Sequence, residues 1–316
     1  MPQFAANLTM LYPEMGLLER MGAAQRDGFK AVECLFPYAH EAQVWAQQLK
    51  ACGLVQVLFN APPGGFTPAQ ATLAWERGQR GTACLPGMEE EFEAGVRLAL
   101  EYARIVGCRQ LHVMAGCVPA SLQHLDRPST PLSDRALTAR ATHHHYASHD
   151  NVLLQTYLRN LARAADWAAE LGIDILIEPI NARDIPHYFL NLQEQAHGIV
   201  QALGRPNVKV QMDLYHAQIA QGDLIRQLEH YLPTQRVAHL QIAGVPDRHE
   251  PSLGEVNFGA VFELLDTLSQ GGVWQGFVGC EYRPQEGTRA GGTSRGLAWM
   301  APYRDQQHGH LRPSAT

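Results

Sequence analysis

The residues best suited to chemistry are acids set at the ends of short apolar runs. Glu178 closes Ile177-Glu178-Pro179, Asp213 closes Gln211-Met212-Asp213, and Glu281 lies in Gly279-Cys280-Glu281-Tyr282. A fourth run ends near Glu33, and His239-Leu240-Gln241 lies in a fifth. A carboxylate in apolar surroundings is costly to bury without a counter-charge, and three facing one another need a cation. Glu178, Asp213, Glu281 and the side-chain oxygen of Gln241 would form an oxygen-rich cage. Mg²⁺ or Mn²⁺ suits such a cage, with Co²⁺ as a further candidate. The alternative is that each acid accepts backbone hydrogen bonds or pairs with an arginine. His216, three residues after Asp213, and Arg248 supply the donors that would hold an anionic substrate. Asn7 and Asn60 end two further runs. His112 lies in another, where it is either a core histidine or a functional one.

A divalent ion flanked by two glutamates suits one class of reaction. The ion binds adjacent hydroxyl and carbonyl oxygens and polarises the carbonyl. One glutamate takes the proton from the neighbouring carbon, and the same or the opposite glutamate returns one. The outcome is aldose–ketose isomerisation, or epimerisation if the proton returns to the original carbon from the other side. A metal-assisted hydride shift stays open as a third route.

These residues need a scaffold that brings strand ends together. β-rich runs fall at 4–8, 31–36, 55–60, 110–114, 173–179, 208–213, 237–242 and 277–282. Most are four to seven residues of Val, Ile, Leu and Phe, as strands buried on both faces require. Helical spacing of apolar residues fills 14–26, 89–106, 153–171, 191–203 and 257–268, and each stretch stops at or near a glycine. Eight such repeats in a 316-residue chain predict a closed (β/α)8 barrel of the α/β class. An open doubly wound sheet usually shows Gly-x-Gly-x-x-Gly after its first strand, whereas Asn7-Leu8-Thr9-Met10 stands here. The prediction is a single barrel domain over 1–304, a long loop insertion at about 115–150 and a frayed tail at 305–316. The insertion carries Pro119, Pro128, Pro131 and His143-His144-His145, which reads as a solvated loop and not as a metal site.

Composition narrows the function further. Lys plus Arg number 25 and Asp plus Glu 31, a net charge of −6, so a nucleic-acid coat is not expected. No apolar run approaches the roughly 18–20 residues of a membrane span. Met1-Pro2-Gln3-Phe4 lacks the form of a signal peptide, so a cytoplasmic protein is expected. Six scattered cysteines form no Cys-x-x-Cys pair and read as reduced, mostly buried thiols. A small-molecule substrate is the expected partner, and homo-oligomerisation stays open.

Seven stretches carry a resemblance. They are Phe4-Ala5-Ala6-Asn7-Leu8-Thr9-Met10-Leu11, Val32-Glu33-Cys34-Leu35-Phe36-Pro37-Tyr38, Arg80-Gly81-Thr82-Ala83-Cys84-Leu85-Pro86-Gly87, Ile177-Glu178-Pro179-Ile180-Asn181, His239-Leu240-Gln241-Ile242-Ala243, Gly254-Glu255-Val256-Asn257 and Gly279-Cys280-Glu281-Tyr282-Arg283-Pro284. Over roughly 2–304 the sequence resembles the hydroxypyruvate isomerase family of the xylose-isomerase-like TIM barrels. The resemblance implies interconversion of hydroxypyruvate and tartronate semialdehyde. It also implies that Glu178 and Glu281 are proton donor and acceptor. The positions matching a divalent metal's ligands are Glu178, Asp213, Gln241 and Glu281. His216 and Arg248 match substrate-contacting residues, and Asn7 and Glu255 are further substrate-binding candidates.

A sister group, the 2-oxo-tetronate isomerases, resembles His112-Val113-Met114-Ala115-Gly116 and 243–251 more closely, whereas 177–186 looks like hydroxypyruvate isomerase. Both groups usually carry arginine where Met88 stands and lysine where Arg283 stands. A ketose 3-epimerase usually has histidine at the position of Gln241. A metal-dependent apurinic endonuclease would need several histidines and a basic groove. A non-catalytic barrel would have no need of two buried glutamates.

Overall fold

A computed structural model describes residues 2–125 and 152–304. Its eight strands are β1 (Gln3–Asn7), β2 (Ala31–Cys34), β3 (Val55–Asn60), β4 (Gln110–His112), β5 (Asp174–Ile177), β6 (Val208–Asp213), β7 (Val237–Ile242) and β8 (Phe277–Cys280). Each pairs in parallel with the next, and β1 pairs with β8, so the sheet closes. The helices α1 (Glu19–Arg26), α2 (Ala42–Cys52), α3 (Pro68–Glu76), α4 (Glu89–Val106), α5 (Val152–Ala169), α6 (Gln193–Leu203), α7 (Leu214–Ala220), α8 (Leu224–Tyr231) and α9 (Phe258–Gln270) run between the strands.

Helix ends follow local chemistry. α4 opens with Glu89, Glu90 and Glu91 against its N-terminal dipole and stops at Gly107, whose φ of 78° the glycine accommodates. The first helix begins five residues later than its apolar spacing predicts. Residues 14–18 form a turn in which the Gly16 N–H donates to Glu19 Oε2. α2, α3, α7 and α8 complete the repeats.

The core has two parts. Ala5, Ala31, Val57, Leu58 and Leu176 pack inside the barrel with Ala238 and Phe277. A larger set, including Trp45, Tyr157, Phe189 and Val278, packs around it. Polar residues gather at the C-terminal ends of the strands. Register places Asn7 beside Glu33, Asn60 beside His112, and Asp213 and Gly279 on either side of Gln241. Two register shifts, at Val32/Glu33 and Val210/Gln211, lie immediately before inward-facing polar residues, where a bulge re-aims the side chain. The insertion predicted at 115–150 lies mainly outside the described residues, as do the histidine triplet and 305–316. Among the described residues no helix is long and apolar enough to cross a membrane.

Candidate active site

The strand ends surround a cavity of about 680 Å³ lined by Asn7, Glu178, His216, Gln241, Arg248 and Glu281, among others. Glu178 lies one residue beyond β5 and Glu281 one residue beyond β8. Asp213 is the last residue of β6. Its Oδ1 accepts the Tyr215 N–H at 2.8 Å, capping α7, while its Oδ2 faces Arg248 Nη2 and His216 Nε2. All three acids are buried.

The Arg248 guanidinium serves two of them. Arg248 Nη2 lies 3.3 Å from Asp213 Oδ2 and 3.2 Å from Glu281 Oε2, and its Nη1 lies 3.8 Å from Asp184. Arg248 adopts φ 58°, a left-handed conformation unusual outside glycine, which commonly marks a functional site. Its backbone is held at both ends. Its N–H donates to the Gly244 carbonyl and its own carbonyl accepts the Arg283 N–H, each at 2.8 Å.

Two histidines face Glu178. His112 Nδ1 is 3.6 Å from Oε2, and His216 Nε2 is 3.9 Å from Oε1 and 3.6 Å from Asp213 Oδ2. Asn181 sets the His216 tautomer. Its Oδ1 accepts the Asp184 N–H at 2.9 Å, which turns its Nδ2 to within 2.6 Å of His216 Nδ1. Nδ1 is therefore the acceptor, and the neutral ring presents Nε2–H to the carboxylates. Burial holds His112 neutral, down at about 3, and pushes His216 well below its ordinary range.

Burial also acts on the acids. It raises Glu178 well above the usual carboxylate range, with the Glu281 and Asp213 charges adding to the effect. Glu281 is pushed up to about 8 and Asp213 to about 6, in both cases by burial, against the pull of Arg248. Glu178 Oε1 is buried with no hydrogen-bond partner among the described residues. Three carboxylates, one guanidinium and an orphaned carboxylate oxygen are a donor set short of positive charge, and a divalent cation fits it. Ligand atoms of Glu178, Asp213 and His216 lie within 4.8 Å of one another. In the tautomer set by Asn181, however, His216 offers a proton to this group and not a lone pair.

Gln241 sits differently from the acids. Its Nε2 donates to Glu33 Oε1 at 2.8 Å, and its Oε1 accepts from Gln211 Nε2 at 2.6 Å. Its oxygen is thus engaged within the barrel wall. Glu33 anchors this layer, also accepting from Asn7 Nδ2 at 2.9 Å and from His239 Nε2 at 2.6 Å. Glu255 is exposed, accepts from Gln218 and stands outside the cavity lining. Met88 precedes α4 and also lies outside the lining. Sequence reasoning gave no site role to Asn181 or Arg80. The Asn181 signal was its spacing of three from Asp184, which allows a side-chain turn.

A closed barrel with buried acids gathered at the C-terminal ends of its strands carries its candidate site where (β/α)8 barrels carry theirs. The chain belongs to the xylose isomerase-like TIM barrel family, whose model matches residues 21–303. It is 46% identical over 303 residues to the 2-oxo-tetronate isomerase of Cupriavidus necator, covering 96% of this chain and 99% of the relative. It is 35% identical to the hydroxypyruvate isomerase of Escherichia coli, covering 96% and 100%. Among solved structures, a protein described as an AP endonuclease, family 2, from Brucella melitensis matches with TM-score 0.77 and 42% identity, covering 96% of this chain and all of that one. The D-psicose 3-epimerase of Clostridium cellulolyticum, at TM-score 0.67 and 13% identity, shares the fold.

Proposed function

We propose that the protein is an intramolecular isomerase of a short 2-oxo acid, working by glutamate acid–base chemistry with a divalent metal, Mg²⁺ or Mn²⁺. The carrying observation is that Glu178 and Glu281, from opposite arcs of the barrel, are both buried in one cavity. Two near-full-length relatives named as isomerases of such acids support the reading. The 46% identity to a 2-oxo-tetronate isomerase favours a four-carbon acid. Hydroxypyruvate is the second reading, favoured by the 35% identity and the 177–186 stretch.

In either acid the oxo group is on C2 and a hydroxyl on C3. One glutamate removes the C3 proton and leaves an enediolate across C2 and C3. A glutamate then delivers a proton to C2, while the O3 hydroxyl proton passes to O2. C3 becomes the carbonyl carbon and C2 the carbinol carbon. His216 Nε2–H and Arg248 are placed to donate to the oxygens that gain negative charge. Asn181 holds the His216 ring in its donating tautomer. A divalent ion held by Glu178, Asp213 and Glu281 would polarise the C2 carbonyl. Cutting DNA would call for a basic groove, which a chain with net charge −6 does not suggest.

Proton NMR in D₂O with each acid, in the presence of Mg²⁺, Mn²⁺ or EDTA, tests the proposal. Isomerisation with deuterium entering at C2, lost in EDTA, is the expected result. Conversion without deuterium would leave a hydride shift or a proton transfer shielded from solvent. No conversion of either acid would overturn the substrate class.

A further inference from the structure

Among the described residues four arginines line the cavity, and their engagement differs. Arg248 pairs with Asp213 and Glu281 through Nη2, and its Nη1 lies 3.8 Å from Asp184. Arg183 donates to the Tyr215 hydroxyl at 3.2 Å and the Pro246 carbonyl at 3.1 Å, and lies beside Asp184. Arg283 is exposed. Arg80 is half-buried, lines the cavity and has no carboxylate within ion-pair distance among the described residues.

Arg80 is nevertheless held firmly. Its guanidinium carbon stacks 3.7 Å over the Trp75 ring, which itself packs on Phe36. Its Nη1 donates to the carbonyls of Trp75 and Gln79, at 3.0 and 2.8 Å. Nε and Nη2 make no hydrogen bond among the described residues. Gly81 pins the following backbone, with φ 107° and its N–H bonded to the Pro63 carbonyl. A Cβ at Gly81 would overlap the Met114 carbonyl, so the segment lies directly against the chain leaving β4. Two residues on, Asn160 ties the Ala83 carbonyl to α5 at 2.9 Å.

A planar fork with two unused donor groups, fixed on an aromatic face and without a counter-charge, is arranged for a carboxylate. Partial burial disfavours its charge, a cost an incoming anion relieves. It stands on the β3–β4 arc, away from the Arg248 cluster at β6 to β8. We infer that Arg80 binds the substrate carboxylate and selects 2-oxo acids over neutral sugars. This rests on the proposed isomerase reading and adds the anchor that defines its substrate class. Met88 lies outside the cavity lining.

The test compares Arg80→Met, Arg80→Lys and Arg283→Met with the parent protein in Mg²⁺ buffer, using hydroxypyruvate and a 2-oxo-tetronate. The expected result for Arg80→Met is a KM rise of at least about 30-fold with kcat within about five-fold, and for Arg80→Lys a smaller rise. An unchanged KM, or a rise in Arg283→Met alone, overturns the inference. So does a fall in kcat accompanied by a lower melting temperature, which marks a structural role. If Arg80→Met does not fold, Arg80→Lys decides: a raised KM with kcat within about five-fold supports the inference, and an unchanged KM overturns it. Binding of D-glycerate, compared with glycerol, is measured separately by calorimetry. Should the parent protein isomerise neither acid, the isomerase reading fails. Loss of D-glycerate binding in the Arg80 variants would then still support carboxylate recognition, and retained binding would overturn it.

Discussion

Glu178 combines two opposing properties. It is an acid–base candidate, and it is a buried acid whose Oε1 has no hydrogen-bond partner among the described residues. Glu178→Gln and Glu281→Gln should each lower kcat by about 10³-fold, within the range for loss of an acid–base group. Full activity in both would end the two-glutamate mechanism. Glu178→Gln should also stabilise the metal-free protein, because a neutral amide replaces a buried charge. The sign with pH is specific. Folding raises the Glu178 pKa, so its unfavourable contribution is absent below the ordinary carboxylate range and grows as pH rises. The gain in Tm should therefore be larger at pH 8 than at pH 4. An equal gain at both pH values would show that the charge is compensated within the fold.

At the scale of single elements, β8 is tightly constrained at Gly279. Gly279 pairs with Gln241, and a Cβ there would overlap the Glu33 carboxylate. Glu33 in turn holds Asn7, His239 and Gln241. Gly279→Ala should force this layer apart, costing about 1–3 kcal/mol as overpacking does. It should also reduce activity, since Glu281 follows two residues later. Denaturant unfolding checks the first effect and kinetics the second. Wild-type stability would show that Glu33 moves without consequence. A second element-scale feature is His197 on α6. It is buried and stacked at 3.9 Å on Tyr231 of α8, with neither ring nitrogen hydrogen-bonded among the described residues. Burial, reinforced by Arg236 and His230, holds it down at about 3. The unfolded chain takes up this proton near pH 6.5 and the folded chain does not. Stability linked to His197 is therefore lost as pH falls below 6.5. His197→Phe should keep the stack and retain about 2 kcal/mol more than the parent between pH 6.5 and pH 5. Identical pH slopes for the two proteins would refute this.

For the whole molecule, the excess of buried acid at one end of the barrel would couple the binding of the proposed metal to folding. A divalent ion that binds only the folded state should raise Tm. At a hundredfold excess over Kd the gain is about 2.7 kcal/mol. Differential scanning with Mg²⁺ or Mn²⁺ against EDTA measures it. The shift should shrink in Asp213→Asn, and a shift of equal size there would place the ion elsewhere.

The sequence alone determined the repeat. Apolar runs, amphipathic stretches and terminal glycines are local signals, and eight of them admit one closed arrangement. Glu178, Asp213 and Glu281 were legible for the same reason, because an acid ending an apolar run is anomalous wherever the run packs. The start of α1 was less legible, since apolar spacing continues into a turn fastened by Glu19. Tertiary structure alone decided how the polar side chains divide their partners. Gln241 looked like a ligand from its place on β7, yet its oxygen meets Gln211, a residue 30 positions away. Asn181 sets the His216 tautomer from 35 positions away, and Glu33 meets His239 across 206. Arg80 stands out only because folding stacks it on Trp75, lines the cavity with it and brings no acid among the described residues within ion-pair distance. Hydrogen-bond partnership depends on distances of a few tenths of an ångström between distant segments, and chain order does not encode those distances locally.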